Sequence, residues 1–117
     1  LLMEIAHYIN EDGTDLYQKW VDALRDNRAK IAVLRRIDRA ALGNFGDHKP
    51  CRDGVSEMRV DVGPGYRVYY FQHGQTLVVL LCGGDKRSQY ADISKAVAYR
   101  TDFLRRLSRK TSQEELQ

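Results

Sequence analysis

The chain has 117 residues, 43% of them apolar and 30% charged, with a formal net charge of +3. That is one ordinary globular domain, 1–117, with no room for a second core. The longest apolar run, Leu77 to Cys82, is far short of the roughly 20 residues a spanning helix needs, so no membrane association is expected.

In chain order, the first residues carry no signal-peptide pattern, and Met3 is a natural start with Leu1 and Leu2 ahead of it. Met3 to Ile9 reads as a short strand, followed by a turn at Glu11-Asp12-Gly13. Thr14 is the expected cap of a helix with Leu16, Trp20 and Leu24 at helical spacing. A second helix carries Ile31, Leu34, Ile37 and Ala41 on one stripe and ends at Gly43, a left-handed cap. The two helices meet near Asp26-Asn27 in a hairpin.

Asn44 to Ser56 mixes glycine, proline and charge and reads as a loop. Glu57 to Val62 alternates, with Met58, Val60 and Val62 on one side and Glu57, Arg59 and Asp61 on the other. Gly63-Pro64-Gly65 turns into a β-branched and aromatic strand, Tyr66 to Phe71. His73-Gly74 turns again into Thr76 to Cys82, a strand apolar enough to be buried on both sides, ended by Gly83-Gly84. Beyond Ser88 a helix carries Ile93, Ala96, Val97, Leu104 and Leu107, and the polar residues from about 111 to 117 form a flexible tail.

Two short turns in succession make an antiparallel meander. With Val62 pairing with Tyr66 across Gly63-Pro64-Gly65 and Gln72 with Gln75, Val60 faces Val68, Arg59 faces Tyr69, Arg67 lies beside Leu80 and Tyr69 beside Val78. One face is then apolar and packs on the helices, while Arg59, Arg67 and Tyr69 stand on an open face among Val78 and Leu80.

The end of the last strand lies beside the start of the one before it. Lys86, Arg87 and Tyr90 therefore fall near Arg67, and three fixed cations in one small region would welcome an anion such as RNA phosphate. The commoner arrangement for such spacing is a set of surface ion pairs in which Asp61 neutralises Arg67 and Asp85 neutralises Lys86. From Lys86 to Lys110 eight basic residues stand against Asp92 and Asp102, which reads either as a solvated helix face or as a sequence-independent phosphate contact. His7, His48 and His73 lack metal-ligand spacing, and the two cysteines, Cys51 and Cys82, read as reduced thiols; no metal or other cofactor is expected.

The segments YQKWVDALRD (Tyr17 to Asp26), LGNFGDHKP (Leu42 to Pro50), GVSEMRVDVGPGYRVYY (Gly54 to Tyr70) and LLCGGDKRSQYADISKA (Leu80 to Ala96), in that order, resemble the RelE/ParE superfamily of type II toxins. The branch they resemble is the phage-type HigB-like one, the addiction-module killer proteins. The resemblance implies an α+β, RelE-like fold: an N-terminal helical hairpin packed on an antiparallel sheet with a C-terminal helix. It implies a cytoplasmic, metal-independent endoribonuclease that cuts mRNA on the ribosome and arrests translation and growth. Its expected partners are a helix-turn-helix antitoxin, the ribosome and mRNA, with operator DNA reached only through the antitoxin. The implied catalytic residues are Arg67 on the phosphate, Lys86 or Arg87 at the leaving oxygen, and Tyr90, with Arg59, Tyr69, Lys95 and Arg100 as further RNA contacts. Many ribosome-dependent members carry tyrosine or histidine where this chain has Ala91 or Asp92. The alternatives are a ParE-like toxin that binds DNA gyrase without cutting RNA, and a regulatory module acting only through its antitoxin.

Overall fold

The computed structural model describes residues 1–116. Their elements are β1 (Glu4–His7), α1 (Leu16–Asp22), α2 (Asn27–Ala41), β2 (His48–Arg52), β3 (Val55–Val60), β4 (Tyr66–His73), β5 (Leu77–Asp85), a 3-10 turn (Lys86–Ser88) and α3 (Gln89–Glu115). The protein is α+β, with one five-stranded sheet in the order β1-β5-β4-β3-β2. The sheet is mixed rather than antiparallel, because β1 runs parallel to β5. The chain's first element is thus a strand, and the two helices α1 and α2 follow it.

The α1 cap is Asp15, not Thr14: its carboxylate accepts from the Gln18 amide at 3.0 Å. Asp26 caps α2 in the same way through the Arg28 amide. Gly43, at φ +89°, takes the left-handed position after α2, as its place in the sequence predicts. The buried stripe of α2 is Ala29, Val33 and Ala40, one step round from the expected one, so Ile31 and Leu34 stay exposed. The expected stripe followed the largest aliphatics, whereas close approach to the sheet selects the smaller side chains.

Part of the expected loop is a strand. β2 pairs with β3 at the sheet edge, the place where the missing N–H of Pro50 costs no ladder bond. The β3–β4 register is offset by two residues from the expected one. Val60 pairs with Tyr66, Arg59 with Arg67 and Glu57 with Tyr69, because the turn takes five residues, 61–65. An even offset leaves every side chain on its expected face.

The β4–β5 register does not. His73 pairs with Leu77 across a three-residue turn, and the odd offset puts Val78 and Leu80 on the face of Val68 and Tyr70. Both faces are then apolar. Val78, Leu80, Met58, Val60, Val68 and Tyr70 meet Tyr17, Val21 and Val33 of the first two helices. Tyr69, Phe71, Val79 and Leu81 meet α3 through Ala96, Ile93, Val97 and Phe103. Each fully buried aliphatic or aromatic side chain contributes about 1.5–3 kcal/mol. The expected open face does not exist; α3 covers it. Helix α3 continues to Glu115, beyond the boundary expected for the tail, and Gln117, the last residue of that tail, lies outside the described residues.

Gly83 and Gly84 continue β5 instead of ending it. A Cβ at Gly83 would fall inside the Trp20 indole, and one at Gly84 on the Asp92 carboxylate. Glycine here permits the close approach of α1 and α3 to the same strand end.

Candidate functional site

At that end of the sheet the β3–β4 turn and the 3-10 turn come together. Gly63 and Gly65, at φ +57° and +85°, let the chain fold back, and the Lys86 amide donates to the Gly65 carbonyl at 3.1 Å. The Asp85 carboxylate accepts from the Arg87 and Ser88 amides, which fixes the start of the 3-10 turn. The result is a cavity of about 370 Å³ lined by Arg59, Arg67, Lys86, Asp47, Asp61, Tyr66 and the turn backbone.

Arg67 and Lys86 therefore share one cavity, with Arg59 beside them. Arg67 is only 12% exposed at its side chain, and its Nε donates to Glu57 Oε2 at 2.6 Å. Glu57 is wholly buried. A buried charge of this kind is tolerated only when paired and hydrogen-bonded. Arg59 pairs with Asp47 at 3.3 Å. Neither Lys86 nor Asp61 has an ion-pair partner among the described residues. The expected pairs of Asp61 with Arg67 and Asp85 with Lys86 do not form: Glu57 takes Arg67, and Asp85 takes Arg87 at 3.3 Å.

Arg87 and Tyr90 sit next door. Both are almost fully solvated, at 88% and 87%, and with Lys86, Gln89 and Ile93 they line a second cavity of about 400 Å³. Tyr90 also borders a third, of about 260 Å³, with Lys49, Pro50, Arg52 and Gln89. Three expected RNA contacts stand elsewhere. Tyr69 is wholly buried under α3, so it offers no ring to a base, and burial, then the charge of Glu57, raises its phenol. Arg100 lies over the Phe71 ring at 5.2 Å, and Lys95 is exposed on α3 but lines none of these cavities.

Sequence reasoning missed Glu57 as a site residue. Its carboxylate accepts from Arg67, from Gln89 Nε2 at 3.3 Å and from the Cys51 thiol at 3.5 Å. Burial, followed by the Glu57 charge, pushes the Cys51 thiol up to about 11. The alternation of Glu57, Arg59 and Asp61 marks the shared face, but only the register shows that Glu57 lies inward of Arg67 and Arg59 at the rim. Among the described residues, no group of three or more His, Cys, Asp or Glu is arranged to hold a metal ion, and no helix is long and apolar enough to cross a membrane.

A charged cavity at one end of a sheet covered on both faces defines a small α+β protein with a built polar site. No family model matches the chain. An uncharacterized protein of Haemophilus influenzae (strain ATCC 51907 / DSM 11121 / KW20 / Rd) is 48% identical to it over 80 residues, 68% of this chain and 81% of that protein. At that identity and coverage the chain belongs to the same family as the Haemophilus protein.

Proposed function

We propose that this protein is a RelE-like toxin of a type II toxin–antitoxin system, a metal-independent endoribonuclease that cuts mRNA on the ribosome in the cytoplasm. The supporting observation is the meeting of Arg67 and Lys86 in one cavity, with the arginine held from behind by a buried carboxylate. The RNA's 2′-hydroxyl attacks the adjacent phosphorus, and the 5′-oxygen of the next nucleotide leaves. A 2′,3′-cyclic phosphate and a 5′-hydroxyl are the products.

Arg67 holds the phosphate oxygens and the negative charge they gain in the transition state. Lys86 gives a proton to the leaving 5′-oxygen; arginine hardly deprotonates, so it suits that step poorly. Asp61, which lines the cavity with no cationic partner among the described residues, takes the 2′-hydroxyl proton. Arg59 adds a contact to a neighbouring phosphate, and the exposed Arg87 and Tyr90 extend the surface along the strand, Tyr90 by stacking on a base. A helix-turn-helix antitoxin is the partner that holds this activity in check.

Primer extension on message after induced expression tests the function. Discrete cuts within translated codons are expected, and they should vanish when translation is blocked. Intact message in arrested cells would overturn it, and an accompanying SOS response would turn the assignment to a gyrase poison.

A further inference from the structure

The protein has one buried charged side chain among the described residues, and it is bonded to the arginine of the cavity. Glu57 sits on β3, Arg67 on β4, Gln89 at the start of α3 and Cys51 on β2, and all three neighbours donate to the one carboxylate. Arg67 makes no other side-chain hydrogen bond among the described residues, so its Nε edge is fully committed while its two terminal nitrogens remain for a ligand. An unanchored arginine in a cavity this size would sample several rotamers. Anchored through Nε, it presents one fork in one plane.

We propose that Glu57 is the positioning residue for Arg67: it fixes the guanidinium so that both terminal nitrogens face the scissile phosphate. The assignment rests on the nuclease function above. Glu57 does not touch RNA itself, being wholly buried. Its carboxylate replaces the solvent that would otherwise orient the guanidinium, so no reorganisation is needed as charge builds on the phosphate. Gln89 and Cys51 in turn hold the carboxylate, tying the arginine to α3 and β2 as well as to its own hairpin.

The test uses the full chain and two variants, Glu57→Gln and Glu57→Asp. The glutamine keeps the shape and an acceptor oxygen but not the charge. The aspartate keeps the charge but draws it back by one methylene, and it carries the test should the glutamine variant not fold. Three quantities are measured: the Arg67 Nε–H signal by ¹H–¹⁵N NMR, the affinity for a 2′-O-methyl trinucleotide that cannot be cut, and kcat and KM on programmed ribosomes. In the parent the Nε–H should be displaced from the bulk arginine signals and slow to exchange.

In Glu57→Gln that signal should move toward the bulk, with kcat down by about 100-fold and KM changed little, as expected for a misplaced group rather than a lost one. Glu57→Asp should fall between the two. Equal kcat in parent and variants, with the Nε–H signal unmoved, would overturn the positioning role and leave the nuclease assignment standing. A parent that cuts no message would overturn the nuclease assignment. The Nε–H signal then decides the positioning role, and a signal unmoved in Glu57→Gln would overturn it, whatever the trinucleotide affinity.

Discussion

The hydroxyl of Tyr8 donates to the carboxylate of Asp102 at 2.7 Å, joining residues 94 apart in the chain. The bond fastens α3 to the segment just after β1. Arg106 strengthens it, donating to the same carboxylate at 2.6 Å and lying over the Tyr8 ring at 5.3 Å. The hydrogen bond from Tyr8, followed by that from Arg105, pushes the Asp102 carboxyl down to about 2. A depressed carboxyl stabilises the fold above its ordinary value, near 3.8, and that stabilisation is lost as pH falls toward 2. Tyr8→Phe should therefore lower the unfolding temperature at pH 7 and bring it toward the parent's at pH 2. Thermal unfolding by circular dichroism across that range checks the convergence.

At the other end of the scale, burial raises several acids. Tyr17 and Tyr70 are pushed up to about 12, and so is the Cys82 thiol, in each case chiefly by loss of solvent. A raised group stabilises the fold fully below its unfolded value and loses that stabilisation as pH climbs through the folded one. Stability should begin to fall near pH 9, where the unfolded thiol ionises, and fall faster above 10 as the unfolded tyrosines follow. Urea titrations at pH 8, 10 and 11 give the trend; a flat profile would contradict it.

Both thiols should resist alkylation at pH 8. Cys82 is buried and Cys51 partly so, and the thiolate is the reacting form. Iodoacetamide labelling followed by mass spectrometry should find Cys51 modified before Cys82, and both far more slowly than in urea. Removing the Glu57 charge should speed Cys51 specifically, since that charge is one of the forces holding its proton on.

Gly83→Ala should cost about 1–3 kcal/mol, the usual range for forcing volume into a packed site. The added methyl meets the Trp20 ring of α1, which packs edge-on against Tyr66 and must shift to make room. Chemical denaturation gives the value, and Trp20 fluorescence reports the same site.

On the proposed nuclease function Arg67→Ala should abolish growth arrest, but it should not leave the fold untouched. It strands a buried carboxylate, and breaking a buried pair costs about 3–5 kcal/mol. Toxicity assays on this variant are informative only beside its unfolding temperature. Lys86→Ala, at an exposed and unpaired position among the described residues, should abolish arrest with the unfolding temperature unchanged.

Much of this was legible in the residues. The apolar run Leu77 to Cys82 in β5, the Met58 and Val60 side of β3 and the apolar stripe of α3 each report burial directly. What was not legible is register. Whether the His73-Gly74 turn holds two residues or three decides which face Val78 joins, and composition does not distinguish the two. The same gap hid Glu57, since a glutamate in an alternating strand ordinarily faces water until a helix is known to cover that face. β2 was concealed by Pro50, which argues against a strand anywhere but at an edge. Lys86 and Arg67 could be brought together because strand ends beside a tight turn are neighbours under either register.

Strand β1 has one strand partner, β5, and the two are separated by most of the chain. As the polypeptide leaves the exit tunnel, its first residues must wait for Leu77 to Leu80 before they can dock, a long loop closure that slows folding. Lys86 emerges later still, and α3, which packs over the face that holds Glu57, after it. Neither the closed sheet nor the cavity at its end can exist before that stretch is made.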